Sequence, residues 1–154
     1  MERLSRRALF SLAGGCLTLV VGGNLAGEAR AAATVVDVAR SPSCGCCGAW
    51  IEHIRAAGFT VQDRLVEDLA PLKAQLGVPA ALQSCHTAVV EGYVIEGHVP
   101  AADIRRLIEE RPSGIGLAVA GMPVGSPGME VGDEHEPYEV ILFGADSQTV
   151  FARY

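Results

Sequence analysis

Three cysteines within four residues are the part of this sequence whose chemistry is easiest to define. Cys44, Cys46 and Cys47 occur in the string CGCC, a C-x-x-C pair with an extra thiol inside it. A thiol–disulfide catalyst needs only an attacking and a resolving thiol, so that chemistry does not explain Cys46. Thiolates are soft ligands that suit Cu(I). The spacing therefore favours copper binding over a purely redox role.

Two other interpretations of the cysteines stay open. A zinc site would be expected to use two separated C-x-x-C or Cys/His pairs that close a tetrahedron, and iron–sulfur ligation would likewise make this a structural metal domain. In an oxidising compartment, four cysteines are also compatible with a disulfide and buried free thiols.

The other candidate ligands lie far along the chain from the CGCC string. Cys85 supplies a fourth thiol. His86 is a second-choice ligand, because alternation at the start of a strand would point it away from Cys85. His98 precedes Val99 and Pro100 at a predicted loop-to-helix junction, where an imidazole can bind a metal or face solvent. His53 and the acidic run 133–136 are better explained as solvated or hydrogen-bonding groups.

Two methionines, Met122 and Met129, lie within the glycine-rich string GMPVGSPGME. A thioether in such a loop is unusual for packing but is a good Cu(I) ligand. We favour Met122 over Met129, because an X-Pro bond tolerates the cis form and Met122-Pro123 is the candidate for a cis-proline facing the cysteines. Simple packing of Met122 in the loop is the alternative.

Hydrophobic periodicity predicts alternating strands and helices around these residues. The cysteine turn follows a first strand and begins an amphipathic helix, whose terminal amides and dipole favour thiolates. The predicted strands cover 34–39, 59–65, 87–90, 93–96, 115–119, 138–143 and 149–152, and the predicted helices cover 47–57, 68–76 and 100–111. This order, with a late Met-Pro before a terminal hairpin, predicts an α/β, thioredoxin-like single domain.

The N-terminal segment has the composition of an export signal. The basic stretch MERLSRR precedes an apolar run and the small residues near position 31. We expect a signal peptide over residues 1–31, of the twin-arginine or the Sec type, and a copper-binding domain over residues 32–154. The domain is thus expected in the periplasm, without stable membrane insertion once the signal is removed.

Charge excludes one class of partner for the predicted domain. Of the 12 basic residues, four lie in the first 31 positions, against two of the 18 acidic residues, so the remainder carries 8 basic and 16 acidic residues. So acidic a domain repels phosphate backbones. Nucleic acid is excluded as a partner, and the expected partners are copper ions and other periplasmic copper-handling proteins.

Four strings give the sequence a family resemblance: CGCCGAWIEHIRAAGF, SCHTAVVEGYVIEGHVP, IRRLIEERP and GLAVAGMPVGSPGME. In this order they resemble the copper-resistance proteins of the CopG type, a periplasmic family long described as a domain of unknown function. The resemblance extends from Thr34 to Tyr154, and Ala120, where proline is expected, is its one visible departure. It implies a thioredoxin-like domain that binds copper as a multinuclear cluster through the CGCC cysteines and Cys85, with cycling between Cu(I) and Cu(II).

The sequence thus supports copper binding in copper resistance as the first functional hypothesis. Whether the chain also acts as a copper oxidoreductase stays open. A thiol–disulfide oxidoreductase of the thioredoxin-like class is the alternative, supported by C-x-x-C at a helix start but not by the extra thiol.

Overall fold

The computed structural model describes residues 33–154, so the predicted signal segment lies outside the described residues. The described part is a mixed α/β structure, as the periodicity predicts. Its strands are β1 (Val35–Arg40), β2 (Thr60–Leu65), β3 (His86–Val90), β4 (Tyr93–Glu96), β5 (Gly116–Ala118), β6 (Glu139–Phe143) and β7 (Gln148–Arg153). Its helices are α1 (Gly45–Ala56), α2 (Ala70–Gln75) and α3 (Ala101–Glu110), with a 3₁₀ turn over Ala80–Leu82. Among the described residues, none of the helices has the length and apolar character needed to cross a membrane.

The seven strands form one sheet in the order β2-β1-β3-β4-β5-β6-β7. Pairing is parallel between β1 and β2 and between β4 and β5, and antiparallel elsewhere. A parallel pair requires a crossover connection. Here α1 connects β1 to β2, and α3 connects β4 to β5.

Apolar side chains cover both faces of the sheet. Ile95 and Leu117 belong to the larger cluster, together with Trp50 and Ile54 of α1 and Leu107 of α3. Their strand neighbours Val94 and Ala118 belong to a second cluster that includes Leu82 and Phe143. Since successive side chains of a strand point to opposite faces, helices α1 and α3 pack on one face of the sheet and the 3₁₀ turn packs on the other.

The strand register brings four connecting segments to one end of the sheet. Arg40, the last residue of β1, pairs with His86, the first residue of β3. In turn, Thr87 pairs with Glu96 at the end of β4, and Glu96 pairs with Ala118 at the end of β5. The cysteine turn after β1, Cys85 before β3, His98 after β4 and the loop after β5 therefore start from the same edge.

A buried ion pair supports this edge. Glu96 is fully buried and receives a hydrogen bond from Lys73 of α2, itself 5% exposed. The same carboxylate accepts a 2.6 Å bond from the Thr87 hydroxyl and another of 2.6 Å from the backbone N–H of Ser84. The residue that precedes Cys85 is thus fixed by a charge-assisted hydrogen bond, a strong type of contact.

Replacing Glu96 with glutamine should destabilise the fold, because the Lys73 ammonium would be left buried without its counter-charge. We expect the free energy of unfolding to fall by about 3 kcal/mol, measured by urea denaturation with the fluorescence of Trp50, the single tryptophan of the chain. Glu52→Gln, which breaks an exposed pair with Arg55, is the matched control and should leave stability unchanged. Equal losses in the two variants would show that the buried pair does not support the fold.

Candidate metal centre

The cysteine turn is the first component of the site. Cys44 is the N-cap of α1, and Cys46 and Cys47 lie in its first turn. Positions three apart at a helix start share a face, and the Sγ atoms of Cys44 and Cys47 are joined in a disulfide, while Cys46 and Cys85 are free. The structure therefore shows one disulfide and two free thiols, an arrangement that the sequence left open. The disulfide joins the two cysteines of the C-x-x-C string.

Cys85 approaches this turn from the start of β3. Its Sγ lies 3.9 Å from the Sγ of Cys46, which in turn lies 3.4 Å from the Sγ of Cys44. The four sulfur atoms of Cys44, Cys46, Cys47 and Cys85 all lie within 4.8 Å of one another. Burial first, and then the neighbouring Cys46, raises the pKa of Cys85 to about 12. A metal ion that binds the Cys85 thiolate must therefore displace a proton.

His98 is positioned to present one defined nitrogen to Cys85. Its Nδ1 lies 2.8 Å from the carbonyl oxygen of Pro127, and its Nε2 lies 3.1 Å from the Sγ of Cys85. A carbonyl oxygen only accepts hydrogen bonds, so Nδ1 carries the hydrogen and Nε2 keeps its lone pair. Burial lowers the pKa of His98. The neutral imidazole is the form that binds metals.

His86 lies beside Cys85 and not on the opposite side as strand alternation would place it. Its Nδ1 is 3.3 Å from the Sγ of Cys85. The difference arises because β3 begins at His86, so Cys85 precedes the strand and does not follow its alternation. Burial, and then the nearby His98, lowers the pKa of His86 to about 3. Its Nε2 is buried without a hydrogen-bond partner among the described residues, so Nδ1 is the ring nitrogen that faces the cysteines.

Met122 reaches the cysteines from the loop after β5. Its Sδ lies 3.9 Å from the Sγ of Cys46, and the side chain is 52% exposed. The predicted cis-proline is wrong, because the described residues contain no cis peptide bond and Met122-Pro123 is trans. A turn closed by the bond from Ser126 N–H to the Pro123 carbonyl (3.1 Å) directs the loop instead.

Two contacts hold that loop over the cysteine turn. The hydroxyl of Ser84, next to Cys85, donates to the carbonyl of Gly121, next to Met122. Gly128 lies so close to α1 that a Cβ there would sit 2.6 Å from the backbone nitrogen of Trp50. Only glycine allows this approach, and the neighbouring Pro127 carbonyl thereby reaches His98.

Other candidates lie outside this group. The Nε2 of His53 accepts a 3.1 Å hydrogen bond from the N–H of Ala101 at the start of α3, which is the structural role that the sequence offered for it. Glu136 in the acidic run is exposed and accepts a 2.9 Å bond from the N–H of Val124. The backbone of Met129 closes the turn with Ser126 and Gly125.

Sequence reasoning missed the support behind Cys85. The sequence did not predict the contacts of Glu96 with Lys73 and Thr87. Lys73 and Glu96, the two members of the ion pair, are separated by 23 residues. The sequence does indicate that Glu96 is buried, because alternation in the strand YVIE places it on the same face as the buried Val94. A carboxylate in such a position needs a buried partner.

The donor set fits a soft or borderline metal ion. Sulfur ligands from four cysteines and one methionine select Cu(I), and imidazole suits copper and zinc. Within residues 33–154, two groups meet the distance requirement for a metal: the four cysteines, and Cys85 with His86 and His98. Cys85 belongs to both groups. The residues thus form a Cys/His cluster that could bind a metal ion.

Comparison with known proteins agrees with this chemistry. A family model described as a protein of unknown function, DUF411, matches residues 82–129, which include Cys85, His86, His98 and Met122. No match was found among curated proteins.

Two solved structures are similar to this chain. One, named copper resistance protein copG, form 1, is 49% identical with a TM-score of 0.75, over 78% of this chain and 96% of that chain. The other, named form 2 of the same protein, is 48% identical with a TM-score of 0.76, over 79% of this chain and 98% of that chain. With the Cys/His cluster, these relatives support a copper-related function. At this identity and coverage, the chain belongs to the CopG family of copper-resistance proteins.

Proposed function

We propose that this chain is a periplasmic copper-resistance protein that binds more than one Cu(I) ion at the sulfur cluster. The observation that carries the proposal is the convergence of four cysteine sulfurs within 4.8 Å of one another. The two solved relatives are named for copper resistance. The proposed ligands are Cys44, Cys46, Cys47, Cys85, Met122, His98 and His86.

The geometry favours several ions over one. Cys46 has Cys44 at 3.4 Å on one side and Met122 at 3.9 Å, whereas Cys85 contacts His98 at 3.1 Å. One ion cannot use both Met122 and His98 together with all four thiolates. Thiolates that bridge neighbouring ions use every donor. Several Cu(I) ions also neutralise the negative charge of four thiolates, which would be costly in a partly buried site.

The four-thiolate form requires reduction of the bond between Cys44 and Cys47. Copper binding and disulfide formation therefore compete for these two sulfurs. Cycling of the bound copper between Cu(I) and Cu(II) is part of the proposal. It is supported by the mixture of soft sulfur with imidazole, which accommodates both oxidation states.

Export and the detailed fold are also proposed. The basic and apolar segment over residues 1–31 supports cleavage of a signal peptide and a periplasmic location. A thioredoxin-like fold is supported by the β1-α1-β2 crossover, the antiparallel β3-β4 pair and a cysteine turn at the start of α1. Other periplasmic copper-handling proteins are the proposed partners.

A thiol–disulfide oxidoreductase is the second candidate function, and one observation favours it. The disulfide joins the two cysteines of a C-x-x-C string at a helix start, where such enzymes place their reactive pair. The roles of Cys46, Met122 and the two histidines distinguish the candidates, because disulfide exchange needs none of them.

Titration with Cu(I) tests the number of ions. We expect the fully reduced chain, under anaerobic conditions, to bind more than one equivalent of Cu(I) in competition with a colorimetric chelator. Because Cys85 must lose a proton, binding should weaken as the pH falls. Saturation at one equivalent, or no binding, would contradict the multinuclear site.

Substitution of Cys46 separates the two candidate functions. If the site binds copper, Cys46→Ser should lower copper loading strongly, because the thiol between Cys44 and Cys85 is lost. Reductase activity on a model disulfide should then be negligible in every form. If the chain is a disulfide catalyst, Cys46→Ser should retain that activity and Cys44→Ser should abolish it.

Met122→Leu tests the thioether contact. Leucine keeps the apolar volume and removes the sulfur, so we expect Cu(I) affinity to fall by about tenfold, a loss typical of supporting groups at metal sites. Met129→Leu in the same loop is the matched control and should bind as tightly as the unchanged chain. Identical affinities for the two variants would remove Met122 from the proposed ligands.

A further inference from the structure

The short segment over residues 120–122 carries the methionine of the site, and all three of its residues are exposed. Backbone hydrogen bonds hold the chain at Val119 before this segment and again from Pro123 onward. Within residues 33–154, the hydroxyl of Ser84 is the only group that hydrogen-bonds the backbone between these two points, at the carbonyl of Gly121. One side chain thus fixes the segment that presents the thioether.

Ser84 is itself held on two further sides. Its backbone N–H donates to the buried carboxylate of Glu96 at 2.6 Å. Gly97 lies so close that a Cβ there would sit 2.6 Å from the Cβ of Ser84, an approach that glycine alone allows. The hydroxyl is therefore presented to the loop from a fixed position, as the supporting group of a precise binding site must be.

We propose that Ser84 is a positioning residue of the metal centre, which holds the Met122 thioether in place over the cysteines. This inference rests on the proposed copper-binding function and adds to it a residue that contacts no ion. Because Ser84 directly precedes Cys85, one support fixes both the thioether and this thiol.

Distances on the two sides of this support agree with the proposal. Gly121 directly precedes Met122, whose Sδ lies 3.9 Å from the Sγ of Cys46. Cys85 directly follows Ser84, and its Sγ also lies 3.9 Å from that sulfur. The two donors therefore reach Cys46 from chain segments that a single hydrogen bond joins. Without that bond, the exposed segment gains conformational freedom, and ordering it again costs free energy when an ion binds.

The Ser84 hydroxyl has a second sulfur neighbour, since its Oγ lies 3.9 Å from the Sγ of Cys85. A serine hydroxyl carries one hydrogen, and the carbonyl of Gly121 is the nearer acceptor. Donation to the Cys85 sulfur is the alternative role. It makes a different prediction, because an effect on that sulfur would not depend on the presence of Met122.

A double-mutant cycle in Cu(I) affinity tests the coupling. The full chain carries Cys16→Ser in every variant, so that this thiol binds no Cu(I), and it is reduced and titrated anaerobically against a colorimetric chelator. Ser84→Ala should weaken Cu(I) binding about tenfold, as Met122→Leu does. The double variant should bind no more weakly than either single variant, because both changes remove the same contact.

Two results of this cycle would overturn the proposal. One is a loss of about a hundredfold in the double variant, the product of two independent losses, because Ser84 would then act on a donor other than Met122. The other is an unchanged affinity in Ser84→Ala. Ser113→Ala, at an exposed serine between α3 and β5, is the matched control and should bind as the unchanged chain does.

Methionine methyl groups labelled with ¹³C give a readout that a loss of stability alone would not move. The chain has three methionines, Met1, Met122 and Met129. In the unchanged chain, saturating Cu(I) should shift the methyl signal of Met122 and leave that of Met129 in place. In Ser84→Ala, which keeps the backbone N–H, the Met122 signal should stay near its copper-free position. An equal Cu(I) shift in both forms would contradict the positioning role.

The same titrations distinguish failure of this inference from failure of the proposed function. If the unchanged chain and Ser84→Ala bind several Cu(I) ions equally tightly, the positioning role is refuted and copper binding stands. If the unchanged chain binds no Cu(I), both proposals fail.

Discussion

The carboxylate of Glu96 is the group on which the geometry of the candidate site depends. It is fully buried, receives hydrogen bonds from Lys73 and Thr87, and accepts the backbone N–H of Ser84. Because Ser84 directly precedes Cys85, this carboxylate fixes the position from which the fourth thiol meets the cysteine turn. A buried ion pair contributes little net stability, but breaking it is costly. Such a contact is better suited to fixing one arrangement than to adding stability.

Close backbone approach completes the site from the opposite side. Gly128 passes within contact of Trp50, and Gly97 lies against Ser84, where a Cβ would be only 2.6 Å from the Cβ of that serine. Both glycines have positive φ angles. The loop after β5 can therefore lie directly over α1, where the Pro127 carbonyl sets the tautomer of His98.

The same sulfur geometry serves metal binding and thiol oxidation. A helix start that favours thiolates makes cysteines both better ligands and better electron donors. The side chains around each cysteine distinguish metal binding from thiol oxidation. Cys46 and Cys85 have a thioether and imidazoles beside them, which are useful to copper and irrelevant to disulfide exchange. Cys44 and Cys47 are bonded to each other, and their further contacts are with Cys46, 3.4 Å from the Cys44 sulfur, and with the Cys85 carbonyl oxygen, 3.8 Å from the Cys47 sulfur.

Local sequence patterns determined the secondary-structure elements and the part of the site that lies in the CGCC turn. Alternation and helical periodicity predicted the strands and helices with ends displaced by at most two residues, because these periods follow from backbone geometry. The CGCC spacing placed three thiols at the start of α1 for the same reason. The family assignment also followed from local strings, and the comparisons confirm it. The thioredoxin-like fold stays a prediction.

Only the tertiary structure decided which distant residues meet. Met122 is 76 residues from Cys46 and reaches it through a trans peptide bond, although the sequence argument for that approach invoked a cis-proline. His86 lies beside Cys85 because Cys85 precedes β3, which begins at His86, and so does not follow the alternation of the strand. The ion pair between Lys73 and Glu96 was likewise not predicted from the sequence. In each case the deciding quantity is strand register or chain direction, which long-range packing sets and local residue preferences do not encode.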